Sequence, residues 1–522
     1  MKRRLKLKYS NDTDKKKYII QSKSKEKIDV NNYIFNTLDG NIDYIKTQLK
    51  EAMGLTVSKN NLFGGKISAA IIFIENLADK ELIGKQILQP LINYNLVNYK
   101  LKQKSADNLI ELIQKNIILI PDVKSSNNLN EITTGILNGL TVLFLENIDT
   151  ALLIKTRKTQ KRPIDKSQNE VDLFGSKEAF TEDIYINCSM ITDRLVTSKL
   201  KFEDFYVGKL SQTKVKLLWL DGIADPKIIA EAKTRINKIN VDNVISIGNF
   251  AEMIEDNSLS IFPSCTLTER PDKVVQYLTN GQFAIMCNNC PFSFVAPVSL
   301  WSFFKTMDDY SESYILGSFI RIVRFISVFL ATSVSSIYIS FVAYNHTIIP
   351  PALGFSIASG RENVPFPSII ELLIMTIVID IIRESGLRMP GSVGFTLGII
   401  GAVVIGEAAV SAGFISPSLI IIIAISALSN FAVPSQQLTN PVRIVNYSLI
   451  IFSSIFGFFG YINGLFIFIL MLITHESFGI SFLYPVVPYD SAGAKDSIIR
   501  YPFKYLKKRL KKSASSNKTR IG

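Results

Sequence analysis

The stretch that decides the fold is Gly391–Val442, which begins GSVGFTLGIIGAVVIGEAAVSA and contains one formally charged side chain, Glu407. Runs this long and apolar are typical of bilayer-spanning helices, since about 20 consecutive apolar residues cross the hydrocarbon core. Both ends of the 522-residue chain are instead rich in lysine. The sequence therefore predicts a soluble part joined to a membrane part.

Five apolar stretches make up the predicted membrane part: Phe325–Tyr344, Pro367–Ile382, Ser392–Ala412, Pro417–Val433 and Ile444–Thr474. The last is longer than one span needs and contains three glycines near its middle, so it is either one tilted helix or a tight hairpin. A hairpin gives six crossings. Four crossings result if the second stretch lies in the interface or re-enters the bilayer.

Basic residues set the expected orientation. Arg321 and Arg324 precede the first stretch, Arg383 and Arg388 follow the second, and the C-terminal tail is basic. Such residues mark the cytoplasmic side of a membrane protein. The N-terminal region shows no cleavable signal peptide. We therefore expect both termini in the cytoplasm and an even number of crossings.

The soluble part alternates between strand and helix patterns. Ala69–Ile74 and Thr141–Leu145 indicate buried strands, and Asp79–Leu88 indicates an amphipathic helix. Phe283–Met286 and Phe292–Pro297 are predicted to pair as a hairpin. The fold class is thus an α/β two-subdomain soluble N-terminal region followed by an α-helical polytopic membrane domain of four to six spans.

Two soluble segments resemble each other: FIENLAD at Phe73–Asp79 and WLDGIAD at Trp219–Asp225. In each, an apolar strand ends at an acidic residue and an Ala-Asp pair opens a helix, where Asp is a good N-cap. The echo indicates either two ordinary strand-to-helix turns or two related α/β subdomains. The polar stretch Thr156–Ser176 is then their linker.

The patterns predict five regions: a basic flexible tail 1–32, α/β subdomain 1 at 33–160, α/β subdomain 2 with an amphipathic connector at 161–310, a transmembrane domain 311–490 and a basic cytoplasmic tail 491–522. Much of the net charge of +13 lies in the two tails. Short basic segments beside a membrane core contact anionic lipid. No zinc-finger spacing or RNA-binding aromatic signature accompanies them, so we expect no nucleic-acid partner.

The sequence gives no support for a metal site or an enzyme active site. The chain has two histidines, and Cys287 and Cys290 form a lone CxxC without a second pair. These cysteines are either small buried hydrophobes or a redox pair. No Gly-x-Ser-x-Gly, His-Glu-x-x-His or phosphate-binding loop occurs, and we expect no enzymatic activity.

Four motifs occur in order along the chain: RPDKVVQYLTNG at Arg270–Gly281, SGRENVPFP at Ser359–Pro367, IRESGLRMP at Ile382–Pro390 and GAVVIGEAAV at Gly401–Val410. Together they resemble the A subunit of GerA-type spore germinant receptors. The resemblance is close over Asp272–Val433. It is looser over the soluble region, where EAFTED at Glu178–Asp183 is the best local match.

This resemblance implies a membrane subunit of a nutrient germinant receptor that triggers spore germination from the inner membrane of the endospore. It implies a transporter-like B subunit and a lipoprotein C subunit as partners, with the germinant sensed in a partner subunit. It also implies a homo-oligomer that forms a channel releasing monovalent cations. The alternative is a non-conducting sensor or assembly subunit whose soluble α/β domains bind a ligand or partner.

Carboxylates within the predicted spans are the candidate ion-pathway residues, because a charge at the centre of a span costs about 2.5–3.5 kcal/mol unless it faces protein or water. Thr376, Asp380 and Glu384 recur every fourth residue and form one stripe, which we expect to face water. Glu371 falls on the opposite side of the same helix, and we expect it to pair with a neighbour. The family that this chain resembles often has a carboxylate at the position of Thr376.

Glu407 is bracketed by small residues that allow close helix approach. It either coordinates a cation or accepts hydrogen bonds from a neighbouring helix while protonated, since burial raises the pKa of a carboxyl. Small hydroxyl residues in the first span are expected to bond to the backbone or pack, and not to line a pathway: Thr332, Ser333, Ser335, Ser336 and Ser340.

Arg361, Glu362, Pro365 and Pro367 form a rigid connection between two apolar stretches. The prolines restrict the residues before them and pre-set the start of the second span. The connection is either a gating hinge or a plain outside loop.

Overall fold

Two five-stranded antiparallel sheets with the same strand order form the N-terminal half. This computed structural model describes residues 33–49, 54–75, 77–94, 106–156, 170, 175–387, 404–509 and 519. The first sheet has the order β1-β2-β4-β5-β3, with strands at Leu55–Leu62, Ile67–Ile74, Val123–Ser126, Thr141–Leu145 and Ala151–Ile154 for β1 to β5. The second has the order β6-β7-β9-β10-β8, with strands at Leu200–Val207, Thr213–Leu220, Thr266–Thr268, Phe283–Cys287 and Ser293–Ala296 for β6 to β10.

The helix that follows the second strand begins with an aspartate N-cap in both sheets. The Asp79 carboxylate accepts a hydrogen bond from the N–H of Glu81 at 3.0 Å and opens the helix after β2. Asp225 accepts from the N–H of Lys227 at 2.9 Å and opens the helix after β7. Each aspartate satisfies an N–H group that a helix start leaves unpaired. Both aspartates follow the second strand of a sheet, and the two sheets have the same strand order, as the interpretation of two related subdomains predicts.

Helices cover both faces of each sheet, which explains why central strands are apolar runs. In subdomain 1 they are α1 Leu38–Gln48, α2 Lys80–Ile83, α3 Gln89–Asn93, α4 Ala106–Leu112 and α5 Leu129–Leu137, with π-helical stretches at Gly84–Leu88 and Ile113–Ile117. In subdomain 2 they are α6 Ile184–Arg194, α7 Pro226–Lys238, α8 Ile247–Ile254 and α9 Pro271–Thr279. The linker prediction Thr156–Ser176 falls mostly outside the described residues.

The apolar core is continuous between the subdomains. Along β2, Ala70 and Ile72 contribute to a core with α1 and α5, while Ala69 and Ile71 contribute to a separate core on the other face. The first of these cores also includes residues of α6, α9 and the second sheet. The far face of the second sheet packs on α7 and α8. The subdomains are therefore joined through buried apolar side chains.

The C-terminal half is helical. Its helices are α10 Asp308–Ser311, α11 Tyr314–Ile339, α12 Pro351–Gly360, α13 Ser368–Leu387, α14 at 404–411, α15 Pro417–Phe431, α16 Gln436–Thr474 and α17 Ser491–Ala494. Within the part of the chain that the structure describes, Tyr314–Tyr344 and Gln436–Thr474 are long and apolar enough to cross a membrane. Part of the predicted third stretch, 392–403, lies outside the described residues, as does Arg388.

Helix α11 starts earlier than the sequence indicated. It begins at Tyr314, where the Ser313 hydroxyl accepts a hydrogen bond from the N–H of Leu316 at 3.3 Å. The helix thus extends about three turns before Phe325, the predicted start of the first span. Arg321 and Arg324 lie in these turns and contact acidic partners within the protein.

Helix α16 reverses direction at Gly457, whose φ of 62° lies in the left-handed region that glycine tolerates. A Cβ atom at Gly460 would clash with the carbonyl oxygen of Phe452, and one at Gly464 would lie 2.8 Å from Cδ2 of Leu449. Residues so far apart in sequence cannot meet within one straight helix. The last stretch is thus a tight hairpin, and a single tilted helix is excluded.

The chain returns to the soluble part after α16. A short hairpin, β11 Glu476–Ser477 and β12 Ile480–Ser481, carries Phe478 at its turn. The Phe478 ring lies 5.0 Å from the ring of Phe283 and beneath the guanidinium of Arg235 at 4.4 Å. The end of the α16 hairpin is therefore fixed to the core of subdomain 2.

Candidate functional site: the carboxylates of helix α13

Glu371 is enclosed near the start of α13. Its Oε1 accepts from Nη2 of Arg361 at 3.2 Å, and its Oε2 accepts from the backbone N–H of Ser416 at 3.1 Å. Ser416 immediately precedes α15, and a negative charge is favourable at a helix N-terminus. The expectation that Glu371 pairs with a neighbour is confirmed. In this conformation the carboxylate is buried and does not border open space.

Asp380 faces a different helix. Its Oδ1 accepts from Nη2 of Arg443 at 2.8 Å, and its Oδ2 accepts from the hydroxyl of Tyr447 at 2.7 Å. Arg443 and Tyr447 lie one turn apart on α16, so that helix holds both carboxylate oxygens. Sequence reasoning missed Arg443, because the last apolar stretch was taken to begin just after it. The sequence signal that could have identified Arg443 is its position as a basic residue at the edge of an apolar run.

A small, partly open cleft with both polar and apolar lining lies beside this ion pair, between α11, α13, α15 and α16. Its volume of about 30 Å³ is room for roughly two water molecules. Its polar lining is Ser335, Thr376, Asp380, Arg383, Ser426, Asn430, Arg443, Asn446 and Tyr447. The structure thus brings Thr376 and Asp380 of the predicted stripe to one cavity. Ser335 of α11, which is buried, borders it too.

Three buried atoms of the cavity lining have no hydrogen-bond partner among the described residues: Nε of Arg443, Oδ1 of Asn430 and Oδ1 of Asn446. The Thr376 hydroxyl donates to the carbonyl of Leu372 at 2.7 Å, which leaves its oxygen able to accept. Buried polar atoms are stabilised by water or by polar partners. All three atoms are shielded from solvent, so these polar groups remain unsatisfied within the packed helices.

Glu384 and Glu407 are exposed on the chain surface. Glu407 lies on α14 beside Gly406, where a Cβ atom would lie 3.5 Å from Cδ1 of Ile420. That contact packs α14 against α15 and leaves the Glu407 carboxylate on the adjoining outer face. Its immediate surroundings on α14 are apolar.

One residue of the loop that follows α12, Arg361, is held by an ion pair. Arg361 ends α12 and reaches Glu371, whereas Glu362, Pro365 and Pro367 are exposed. The ion pair joins this loop to α13, and Glu371 in turn binds the start of α15. A gating hinge and a plain outside loop both remain consistent with these contacts.

A second ionic cluster anchors the start of α11. Arg321 is fully buried and contacts Asp309 at 3.0 Å and Asp496 at 3.0 Å, while Arg324 contacts Asp309 at 2.7 Å. Burial opposes the charge on Asp496, but Lys305 and Arg321 outweigh it and hold the pKa of the carboxyl below its ordinary value. The cluster fastens the C-terminal segment to α11.

The cysteines favour the structural interpretation of the CxxC. All four are free and buried, and burial raises the pKa of the Cys287 thiol. A thiol that resists ionisation is a poor nucleophile. Cys287 and Cys290 contribute to the core beneath the second sheet.

Residues 43–512 match the family described as Bacillus/Clostridium GerA spore germination protein. The chain belongs to the GerA family. Spore germination protein GerLA of Bacillus cereus is 33% identical over 476 residues, covering 90% of this chain and 95% of its own. The uncharacterized membrane protein YfkQ of Bacillus subtilis (strain 168) is 35% identical over 457 residues, covering 88% of each. The resemblance carried by the four motifs is confirmed.

A solved structure also matches this GerA-family chain. It is the N-terminal domain of the A subunit of the Bacillus megaterium spore germinant receptor GerK3, at 27% identity and a TM-score of 0.40. The match covers 51% of this chain and 96% of that domain.

Proposed function

We propose that this GerA-family chain is the A-type membrane subunit of a nutrient germinant receptor and that its copies assemble around a pathway for monovalent cations. The observation that carries the proposal is Glu407, a carboxylate exposed on an apolar helix. A charge facing lipid at that depth is costly. A water-filled passage between copies removes this cost, because it hydrates the carboxylate.

The proposed topology has six crossings: α11, α13, the stretch 392–412, α15 and the two halves of α16. Reversal at Gly457 supports the last two. Each half is roughly 20 residues long, which matches the bilayer core. An even number of crossings places both termini on the same side, and the basic residues beside the first span and in the C-terminal tail favour the cytoplasm. The proposed location is the inner membrane of the endospore.

The ion pair between Asp380 and Arg443 is the proposed latch of the closed state. It holds α13 against α16 beside the cavity that Thr376 lines. Separating the two helices would free the Asp380 carboxylate and widen the cavity. Glu384, which follows one turn later on the same stripe, extends the proposed pathway toward the end of α13.

The trigger is proposed to come from partner subunits, a transporter-like B subunit and a lipoprotein C subunit, the former sensing the germinant. Within this chain, subdomain 2 is proposed to transmit the signal to the membrane helices. Its core holds Phe478, which directly follows the second half of α16. A shift of the second sheet would therefore move the membrane hairpin.

A non-conducting sensor or assembly subunit is the second candidate function. It is favoured by the contacts of Asp380, whose two oxygens are both satisfied within one chain. In that case the soluble subdomains bind a ligand or partner, and the membrane carboxylates serve only to join helices.

Cation release from liposomes containing the full chain, alone and with its partner subunits, separates the two candidates. We expect Asp380→Asn and Glu407→Gln to change conductance or ion selectivity. Glu476→Gln, an exposed carboxylate in the β11–β12 hairpin, is the matched control and leaves both unchanged. Unaltered conductance and selectivity in both test variants would refute the carboxylate pathway, and a wild-type complex without flux would favour the second candidate.

A further inference from the structure

The segment 498–508, called the interfacial segment below, combines exposed apolar side chains with lysines. Its large exposed apolar side chains are between 44% and 58% accessible: Ile498, Ile499, Tyr501, Phe503 and Tyr505. Lys504, Lys507 and Lys508 are exposed as well, and the segment contains no acidic residue. A water-exposed surface rarely concentrates so many apolar side chains.

Hydrogen bonds fix the interfacial segment beside the first turns of α11. The backbone N–H of Arg500 donates to the Ser318 hydroxyl at 3.2 Å, and that hydroxyl donates to the Arg500 carbonyl at 2.9 Å. The Arg500 guanidinium also donates to the carbonyl of Glu312 at 2.8 Å. Nearby on α11, Ile315 and Phe319 are 66% and 62% exposed. The two apolar surfaces therefore lie next to each other.

The residue that follows the segment contacts the soluble part. Nε of Arg509 donates to the carbonyl of Thr279, the last residue of α9, at 2.7 Å. The segment thus runs from the start of the first long apolar helix to subdomain 2. In the proposed topology this is the level of the lipid headgroups on the cytoplasmic side.

The composition of the interfacial segment is typical of the headgroup layer, and not of the aqueous phase or of the hydrocarbon core. Tyrosine is enriched where a bilayer meets water, because its ring is apolar and its hydroxyl is polar. Lysine keeps its ammonium in the headgroup layer while its alkyl stem contacts apolar surface. Clustered lysines are attracted to anionic lipid, by about fivefold in partition for each lysine near the surface.

We propose that the interfacial segment and the first turns of α11 lie in the headgroup layer and bind anionic phospholipid there. The proposal rests on the membrane topology proposed above. Because Arg321 of α11 contacts the carbonyl of Ser497 at 3.2 Å, the bound lipid would hold α11 at a defined depth. The segment is then a membrane anchor, distinct from the spanning helices.

The test uses the full chain with Tyr505→Cys labelled by a thiol-reactive fluorophore, since the four native cysteines are buried. The labelled protein is reconstituted in vesicles of phosphatidylcholine, with or without phosphatidylglycerol, carrying a nitroxide on the headgroup or at mid-chain. Phe329→Cys on α11 and Leu119→Cys in subdomain 1, both exposed, are the matched reference sites.

We expect headgroup nitroxides to quench the label at 505 and mid-chain nitroxides to quench the label at 329, with neither quenching 119. Quenching at 505 should be stronger with phosphatidylglycerol. Replacing Lys504, Lys507 and Lys508 together by Gln, or adding salt, should weaken it.

Two outcomes would overturn the anchor alone: a label at 505 that behaves like 119 while 329 is quenched, and quenching at 505 that is independent of phosphatidylglycerol. An unquenched label at 329 would instead overturn the membrane topology, and the anchor with it. The failures of the two proposals are thereby distinguishable.

Discussion

Arg443 of α16 and Asp380 of α13 form an ion pair of 2.8 Å at the edge of a small cleft between four helices. Tyr447, one turn further along α16, binds the other carboxylate oxygen at 2.7 Å. Charge-assisted hydrogen bonds of this kind are stronger than neutral ones. The two helices are therefore latched at the position where the proposed ion pathway would have to open.

Removing the arginine should release the latch. In Arg443→Gln, Asp380 loses its cationic partner, and we expect cation release in the absence of germinant to rise. Because both side chains are about a quarter exposed, we expect a stability loss of about 1–2 kcal/mol, less than for a fully buried pair. The measurement is basal efflux from liposomes or spores, with thermal stability alongside.

Lys273→Gln is the matched control, since it breaks a comparably exposed pair with Glu170 in the soluble part, away from the cavity. It should lower stability without raising basal efflux. The exchanged pair, Asp380→Arg with Arg443→Asp, should restore the closed state. Equal basal efflux in the Arg443→Gln and wild-type proteins would contradict the latch.

The reversal of α16 depends on glycine. We expect Gly460→Ala to destabilise the membrane half by at least about 1–3 kcal/mol, the usual cost of overpacking, because the added Cβ meets a backbone carbonyl that cannot move aside. Gly464→Ala should cost less, since it meets the flexible end of Leu449. Thermal unfolding in detergent measures the difference.

Gly354→Ala in α12 is the control, because its Cβ would lie no closer than 3.9 Å to any neighbour. Alanine is about 1 kcal/mol better than glycine within a helix, so this variant should be neutral or stabilised. A Gly460→Ala protein as stable as Gly354→Ala would show that the hairpin is not closely packed.

His475 should make the junction between membrane and soluble parts sensitive to acid. Its ring nitrogens lie 3.2 Å from the Ser260 hydroxyl and 3.4 Å from the Ser264 hydroxyl. Burial lowers the pKa of His475, and a hydrogen bond to the Pro263 backbone and the charge of Asp256 only partly oppose that shift. The unfolded chain therefore binds this proton more readily than the folded chain.

Stability should accordingly be unaffected by this group above the ordinary histidine pKa of about 6.5, and should fall as the pH drops through that value. His475→Gln should flatten this part of the pH profile of the thermal midpoint. The chain's other histidine provides the control, and His346→Gln should leave the profile unchanged. A profile that is identical in both variants would rule out His475 as the source.

Much of the soluble fold could be predicted because its signals are local. Thr141–Leu145 forms a strand with the predicted bounds, and the hairpin of β9 and β10 pairs as expected. The Ala-Asp echo identified the repeat because Asp79 and Asp225 each cap the helix that follows its own strand. Such features depend on a few neighbouring residues.

The contacts of the membrane half could not be predicted in the same way. Asp380 pairs with Arg443 on another helix, and no sequence pattern around Arg443 indicates this contact. Insertion of Phe478 into subdomain 2 likewise joins segments far apart in sequence. The helical periodicity of α13 correctly placed Glu371 and Asp380 on different sides of the helix. Which of these sides is enclosed depends on packing against other helices, which periodicity does not give.

The cluster around Arg321 should be the strongest ionic contribution to stability in the described chain. Replacing one partner of a buried pair costs about 3–5 kcal/mol, because the remaining charge is left uncompensated. We expect a loss in that range for Arg321→Met, with faster proteolysis of the C-terminal segment. Lys85→Gln, which breaks an exposed pair with Glu81, should leave the thermal midpoint nearly unchanged. Similar losses in both variants would contradict the anchoring role.

The most direct test of the central claim is the water accessibility of position 407 in assembled receptors. Glu407→Cys should react with a membrane-impermeant cationic thiol reagent and lose cation flux on reaction, whereas Ile425→Cys, an exposed apolar position on α15, should not react. A Glu407→Cys protein that stays unreactive, or that conducts normally after complete labelling, would contradict a wet passage bordered by Glu407.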